Sequence, residues 1–197
     1  WRRIQEQQSI ELKPWRTEVR DNDYALICLQ KATDSTLMPM HDTHGKYRNW
    51  LMQVINQIRN VHPGLPIVIR PHLRTKHSSY KNIIGNIAGV TLSTTWEDRR
   101  FHEGGEGLQK DLDGARFVVS YNSNVLTQAV LEGIPSICWD IRSAASPACL
   151  DPSQLSNLED VHKIDRTQWL HDLGYTQWSR KEIRNGRAWI HLKKYGF

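Results

Sequence analysis

The sequence predicts an α/β domain, a doubly wound and mostly parallel sheet with further helices toward the carboxyl end. Two observations predict it. Five short apolar runs recur along the chain, and segments with helical spacing separate them, the pattern of a parallel sheet covered on both faces. A third observation fits one domain with a small appendage: 197 residues, with no internal repeat and no low-complexity tract.

Residues 1–20 are polar, and "RRIQEQQ" reads as a helical turn or a linker. The α/β core is expected over residues 21–142. Tyr24–Gln30 is its first strand. Lys46–Asn60 places Tyr47, Trp50, Leu51, Val54, Ile55 and Ile58 on one helical face, and His62-Pro63-Gly64 stops it. "PIVIR", Pro66–Arg70, is a strand rich in β-branched residues. A short helix over Ser79–Ile87 and a short strand over Gly89–Ser93 follow. Gly107–Gly114 is a helix with Leu108 and Leu112 inward, and "FVVS", Phe117–Ser120, a strand. Asn124–Glu132 is a helix ended by Gly133, and "PSICW", Pro135–Trp139, the last strand. Residues 143–197 form a Ser-, Ala- and Pro-rich loop and then helices expected to pack on the core. These are Arg166–Leu173 and Ser179–Asn185, the second with a capping box of Ser179 and Glu182 and Gly186 at its end. Trp169, Trp178 and Trp189 are expected to seat them on the sheet.

Composition bounds the function. Hydrophobic residues at 39% and charged residues at 24% describe a chain that buries a proper core. No apolar run approaches the roughly 18 residues of a membrane span, and the front shows no signal-peptide pattern. The chain opens on Trp1 without a methionine, as a piece of a longer protein would. Cys28, Cys138 and Cys149 are odd in number and lack metal-ligand spacing, which points to a reducing, cytoplasmic setting. Twenty-six Lys and Arg against 21 Asp and Glu leave a net +5, a mild preference for anionic partners.

Doubly wound sheets bind ligands at the carboxyl ends of their strands. That rule collects Gln30 to Ser35, Arg70-Pro71-His72, Ser93 to Trp96, Ser120 to Asn124 and Trp139-Asp140 at one rim. "SYNSN", Ser120 to Asn124, leaves a strand and opens a helix, a junction suited to an anion; Asn122 or Ser123 would equally serve as a plain N-cap. "IRPHLR" puts Arg70, His72 and Arg74 past a strand, to bind phosphate or to form a solvated basic turn. In "QKATDST", Asp34 is a nucleophile, base or hydroxyl anchor, or else the head of an Asx-turn. "HDTH", His41 to His44, lacks a third ligand and reads as a loop rather than a metal site. "HEGGEG" lacks the lysine and hydroxyl of a P-loop. Arg99 and Arg100, just before it, could touch nucleic acid.

Four segments in order, "LQKATDST", "IRPH", "SYNSNVLTQAVLEGIP" and "WLHDLGYTQWSRKEIRNGRAW", resemble the capsule-polysaccharide-synthesis family of bacterial Kdo transferases and their phage-borne relatives. The likeness runs over residues 24–191. It implies the nucleotide-sugar-binding half of a GT-B fold, with a Rossmann-like sheet. Asp34 takes the place of the family's catalytic carboxylate, with Gln30 and Ser35 beside it. Arg70 and His72 fall on the donor-phosphate motif, with His72 acting in catalysis. Ser120, Asn122, Ser123, Asn124 and Gln128 fall on the donor-binding helix start. Gln128 stands where the family usually has glutamate, and Leu73 replaces the motif's second proline; a lost carboxylate changes which hydroxyl or base of the donor is read.

The expectation is a glycosyltransferase moving a sugar from a CMP- or UDP-linked donor to a hydroxyl, with no metal and no cofactor required. The acceptor would be a capsule or lipopolysaccharide glycan, or a hydroxymethylated base of phage DNA. A second domain or subunit would supply part of the acceptor site, in the cytoplasm of a bacterium or a phage-infected cell. The other class is a non-catalytic nucleotide- or nucleic-acid-binding module on the same fold.

Overall fold

A computed structural model describes residues 2–8, 10–16, 18–21, 23–31, 34–40, 45–75, 84, 87–97 and 106–195. The expected features at His41–His44, Arg99, Arg100 and most of Ser79–Ile87 and "HEGGEG" lie outside them. The chain divides into two compact units, Glu11–Asp165 and a second made of Trp1–Ile10 with Arg166–Phe197.

The larger unit is built on five parallel strands: β1 (Tyr24–Cys28), β2 (Ile67–Arg70), β3 (Val90–Leu92), β4 (Ala115–Ser120) and β5 (Ser136–Cys138). Their order is β3-β2-β1-β4-β5, the expected doubly wound layout. The register brings Cys28 opposite both Arg70 and Ser120, and Ser120 opposite Cys138, so four strand ends finish level. Alternate residues of β1 explain why it reads as unbroken apolar sequence. Ala25, Ile27 and Leu29 pack into one core, Leu26 and Cys28 into the other.

The first core is covered by helix Lys46–Val61 through Trp50, Leu51, Val54, Ile55 and Ile58. The second is covered by Leu112 of helix Glu106–Asp113 and by Leu126 and Ala129 of helix Val125–Leu131. Gly133 ends that last helix at φ 74°, a conformation that favours glycine. It is also crossed by the segment before β1. A Cβ at Gly133 would stand 1.9 Å from the Pro14 carbonyl oxygen, while Lys13 N–H donates to Leu131 O and Arg16 N–H to Gly133 O.

Residues 143–165 are less loop-like than their composition. Three 3-10 turns, Ser146–Ala148, Pro152–Gln154 and Leu158–Lys163, carry Leu150, Leu155 and Val161 into the first core.

The smaller unit holds helices Arg2–Gln8, Arg166–Thr176, Arg180–Arg184 and Arg187–Tyr195. Its centre is the buried carboxylate of Glu182, which accepts from Ser179 N–H, Ser179 Oγ, Arg3 and Gln7. The Ser179 backbone bond and these partners hold its pKa at about 2. Helix Arg187–Tyr195 was not among the expected elements, and none of its residues is buried. Trp189 is 61% exposed, so it does not act as a seat. Trp169 is buried, and Trp178 lies under the Arg3 guanidinium at 4.3 Å.

Candidate active site

The sheet's winding reverses between β1 and β4, and the space beyond their carboxyl ends is a cleft of about 450 Å³. That is within the usual size of small-ligand sites, about 300–1,000 Å³. Gln30, Asp34, Arg70, His72, Asn122, Ser123, Asn124 and Gln128 all line it. Ser35 and Ser120 do not. Ser35 is exposed at the start of a 3-10 helix, Ser35–Met40. Ser120 is fully buried and donates its hydroxyl proton to Cys28 O at 2.7 Å, tying β4 to β1.

The polar residues divide into those that build the cleft and those that face its contents. Gln30 is buried at the end of β1, its N–H donating to Tyr47 Oη. Its Nε2 donates to Thr36 Oγ1 at 2.8 Å and to Asn122 Oδ1 at 2.6 Å. Asn122 returns a bond from its backbone N–H to Gln30 Oε1, and its Nδ2 donates to Thr36 O and to Asp140 Oδ2. A primary amide has two N–H donors, and in both residues both are engaged. Gln30 and Asn122, expected to bind the donor, line the cleft and also clamp its two lips.

Arg70 lines the cleft as well, and it is also engaged inside the protein. Its guanidinium pairs with Asp111 and reaches Thr95 Oγ1 at 2.7 Å, and Asp111 further accepts from Ser93 Oγ at 2.6 Å. Both charged side chains are almost fully buried. The pair cancels most of the charge that would otherwise meet a phosphate. Asp111 shares the buried stripe of Leu108 and Leu112, and a carboxylate inside an apolar stripe is the signal that points to it. Thr36 and Arg142, which pairs with Asp140 at 2.6 Å, are the other participants that the strand-end rule did not single out. Arg142's hydrogen bond holds the Asp140 carboxyl below the usual carboxylate range.

Asp34 heads an Asx-turn. Its Oδ1 accepts from Thr36 N–H at 3.0 Å and from Thr36 Oγ1 at 2.8 Å. Since Gln30 donates to that hydroxyl, the Thr36 proton is directed onto Asp34 and the carboxylate is oriented. The turn and the cleft position are therefore compatible. His72 Nδ1 accepts from Arg74 N–H at 3.1 Å, so the neutral ring carries its proton on Nε2. Burial lowers its pKa, against a smaller raising effect of Asp34. Ser123 Oγ accepts from Val125 N–H at 3.3 Å and so caps the seven-residue helix Val125–Leu131; Asn124 makes no side-chain cap bond. Cys28 lines the cleft too, but burial pushes its thiol up to about 12, which leaves it without nucleophilic character near neutral pH.

Among the described residues no three His, Cys, Asp or Glu are grouped to hold a metal ion. Among them, too, no helix is long and apolar enough to cross a membrane.

No protein-family model matches the chain, and no curated protein matches it. Two solved structures from Thermosulfurimonas dismutans are similar to it. One is KpsC, beta Kdo 2,4 transferase, at 13% identity and TM-score 0.42, covering 66% of this chain and 37% of that one. The other is KpsC, beta Kdo 2,7 transferase, at 15% identity and TM-score 0.38, covering 74% and 46%. The chain spans less than half the length of either, and at these scores neither match assigns an activity.

Proposed function

We propose that the cleft binds a nucleotide sugar and that the protein transfers the sugar to a hydroxyl acceptor. One observation carries the reading: the carboxylate of Asp34 and the imidazole of His72, from the ends of neighbouring strands, line one cleft with the helix start at Ser123 and Asn124. The sequence resemblance supports the same chemistry.

In this reading the acceptor oxygen bonds to the anomeric carbon while the bond from that carbon to the phosphate oxygen breaks. Asp34 takes the acceptor's proton. The electron pair stays on the departing nucleotide phosphate, where fixed N–H donors stabilise it. His72 offers Nε2–H to that phosphate as a neutral donor. The helix start at Ser123-Asn124 faces it with the positive end of its dipole. Arg70 contributes through Asp111 to the shape of the cleft rather than through free charge. Gln128 contacts the donor, which is CMP- or UDP-linked. The acceptor is a capsule or lipopolysaccharide glycan or a hydroxymethylated base of phage DNA, held in part by a second domain or subunit, in the cytoplasm of a bacterium or phage-infected cell. Turnover without a metal predicts full activity in chelator.

Asp34→Asn keeps an oxygen to head the turn and removes only the charge. Transfer from CMP- or UDP-sugars should vanish while the melting temperature stays at the wild-type value. Wild-type transfer by this variant removes Asp34 from the mechanism. A second reading, nucleotide binding without transfer, is favoured by the engagement of Asp34 Oδ1 in its turn. A thermal shift with nucleotides and no turnover with any nucleotide sugar would select it.

A further inference from the structure

A run of hydrogen bonds crosses the base of the cleft, and the groups at its two ends fix its polarity. The backbone N–H of Asn122 can only donate, and it reaches Gln30 Oε1 at 3.2 Å. Gln30 Nε2 therefore faces the other way, toward Thr36 Oγ1 at 2.8 Å and Asn122 Oδ1 at 2.6 Å. At the far end, the Thr36 carbonyl and the Asp140 carboxylate, ionised beside Arg142, can only accept. Each takes a bond of 3.1 Å from Asn122 Nδ2, which leaves Asn122 Oδ1 facing Gln30. The two ends agree independently. Neither amide can flip without setting donor against donor or acceptor against acceptor.

This polarity decides the direction of the Thr36 hydroxyl. It accepts from Gln30, so its single proton goes to Asp34 Oδ1 at 2.8 Å. The Thr36 backbone N–H reaches the same oxygen at 3.0 Å. Both lone-pair sites of Oδ1 are thereby engaged, and a proton drawn from an acceptor hydroxyl goes to Oδ2. Donors to a carboxylate favour its ionised form, the form that a general base needs.

We propose that Thr36 is a positioning residue of the cleft: its hydroxyl, aimed by Gln30 and Asn122, keeps the Asp34 carboxylate ionised and turned to receive the proton on Oδ2. The inference rests on the transfer reading for the proton itself, whereas the state of Asp34 is measured without turnover. Gln30 and Asn122, which join the ends of β1 and β4, thus also set the state of the base.

The test is an NMR pH titration of the Asp34 carboxyl carbon in the full chain, its signal identified by its absence from Asp34→Asn. Thr36→Val keeps the shape of the side chain and the backbone N–H bond and removes only the hydroxyl. Thr36 is exposed, so the fold should persist, which circular dichroism checks. Asp34 in this variant should titrate about one pH unit or more above wild type, the counterpart of losing one hydrogen bond to a charged group. Thr36→Ser, which restores the hydroxyl, should bring the titration back. His72, Arg74 and Lys31 are the titratable and charged groups around the Asp34–His72 pair, and all are the same in every variant. Transfer by Thr36→Val should fall about 10- to 100-fold in kcat with KM close to wild type, as expected of a misaimed base. The acid limb of its pH profile should move up by the same interval as the titration. An Asp34 titration unchanged by Thr36→Val, or a Thr36→Ser variant that behaves like Thr36→Val, overturns the proposal. Wild-type protein inert toward every nucleotide sugar, with the displaced titration present in Thr36→Val, overturns the transfer reading and upholds the orientation of Asp34.

Discussion

The side-chain amides of Gln30 and Asn122 meet at 2.6 Å across the gap between the carboxyl ends of β1 and β4. This pair closes the base of the cleft at the point where the winding of the sheet reverses, and it passes orientation through Thr36 to Asp34. Gln30→Ala would leave the Asn122 amide oxygen and N–H without their partner. An unfulfilled buried polar group costs about 1–3 kcal/mol, and urea denaturation should report a loss of that size. A change below about 0.5 kcal/mol, the range of ordinary surface substitutions, would show that the clamp does not hold the lips together.

The Arg70–Asp111 pair gives a second prediction. Removing one partner strands a buried charge, at a cost of about 3–5 kcal/mol. Arg70→Met and Asp111→Leu should each be strongly destabilised, and the double variant should recover most of the loss. If Arg70→Met melts like wild type, the pair is not structural, and Arg70 returns as a phosphate ligand.

Gly133 gives the third. Alanine there meets both a positive φ and the Pro14 carbonyl at 1.9 Å. The loss should exceed the ~1 kcal/mol of an ordinary glycine-to-alanine misfit, since the segment before β1 must also move. Melting of Gly133→Ala within 2 °C of wild type would contradict the close approach.

The fourth concerns pH. Burial lowers the pKa of both His62 and His72. The unfolded chain then binds more protons than the folded one below about 6.5, so stability is present above that pH and lost as pH falls through the folded values. Melting temperature should decline from pH 7 toward 5. His62 donates from Nε2 to Leu155 O at 3.0 Å, and His62→Gln, which keeps a donor but does not titrate, should make the decline shallower. A flat profile over that range would be inconsistent with this linkage.

The central strand β1 was legible because the sheet is covered on both faces there, which turns it into an unbroken apolar run. Helix Lys46–Val61 was legible because its buried side recurs at helical spacing. The cleft residues were found by a rule about strand ends, which fixes where a residue sits but not what it bonds. Arg70 illustrates the limit. Its partner lies 41 residues away on a helix, and only the folded chain reveals that its charge is cancelled. Gln30 and Asn122, 92 residues apart, are the same case. Helix Arg187–Tyr195 was passed over although its apolar residues segregate at helical spacing, and none of them is buried.

The Glu182 carboxylate joins Arg3 to Ser179, and Arg3 stands 179 residues upstream of it. A ribosome releases helix Arg2–Gln8 long before that carboxylate exists, so during synthesis the helix waits without its anchor while the parallel sheet assembles. Moving the Arg2–Gln8 segment to follow Tyr195 through a short linker would remove the delay, and the smaller unit should then form from contiguous chain.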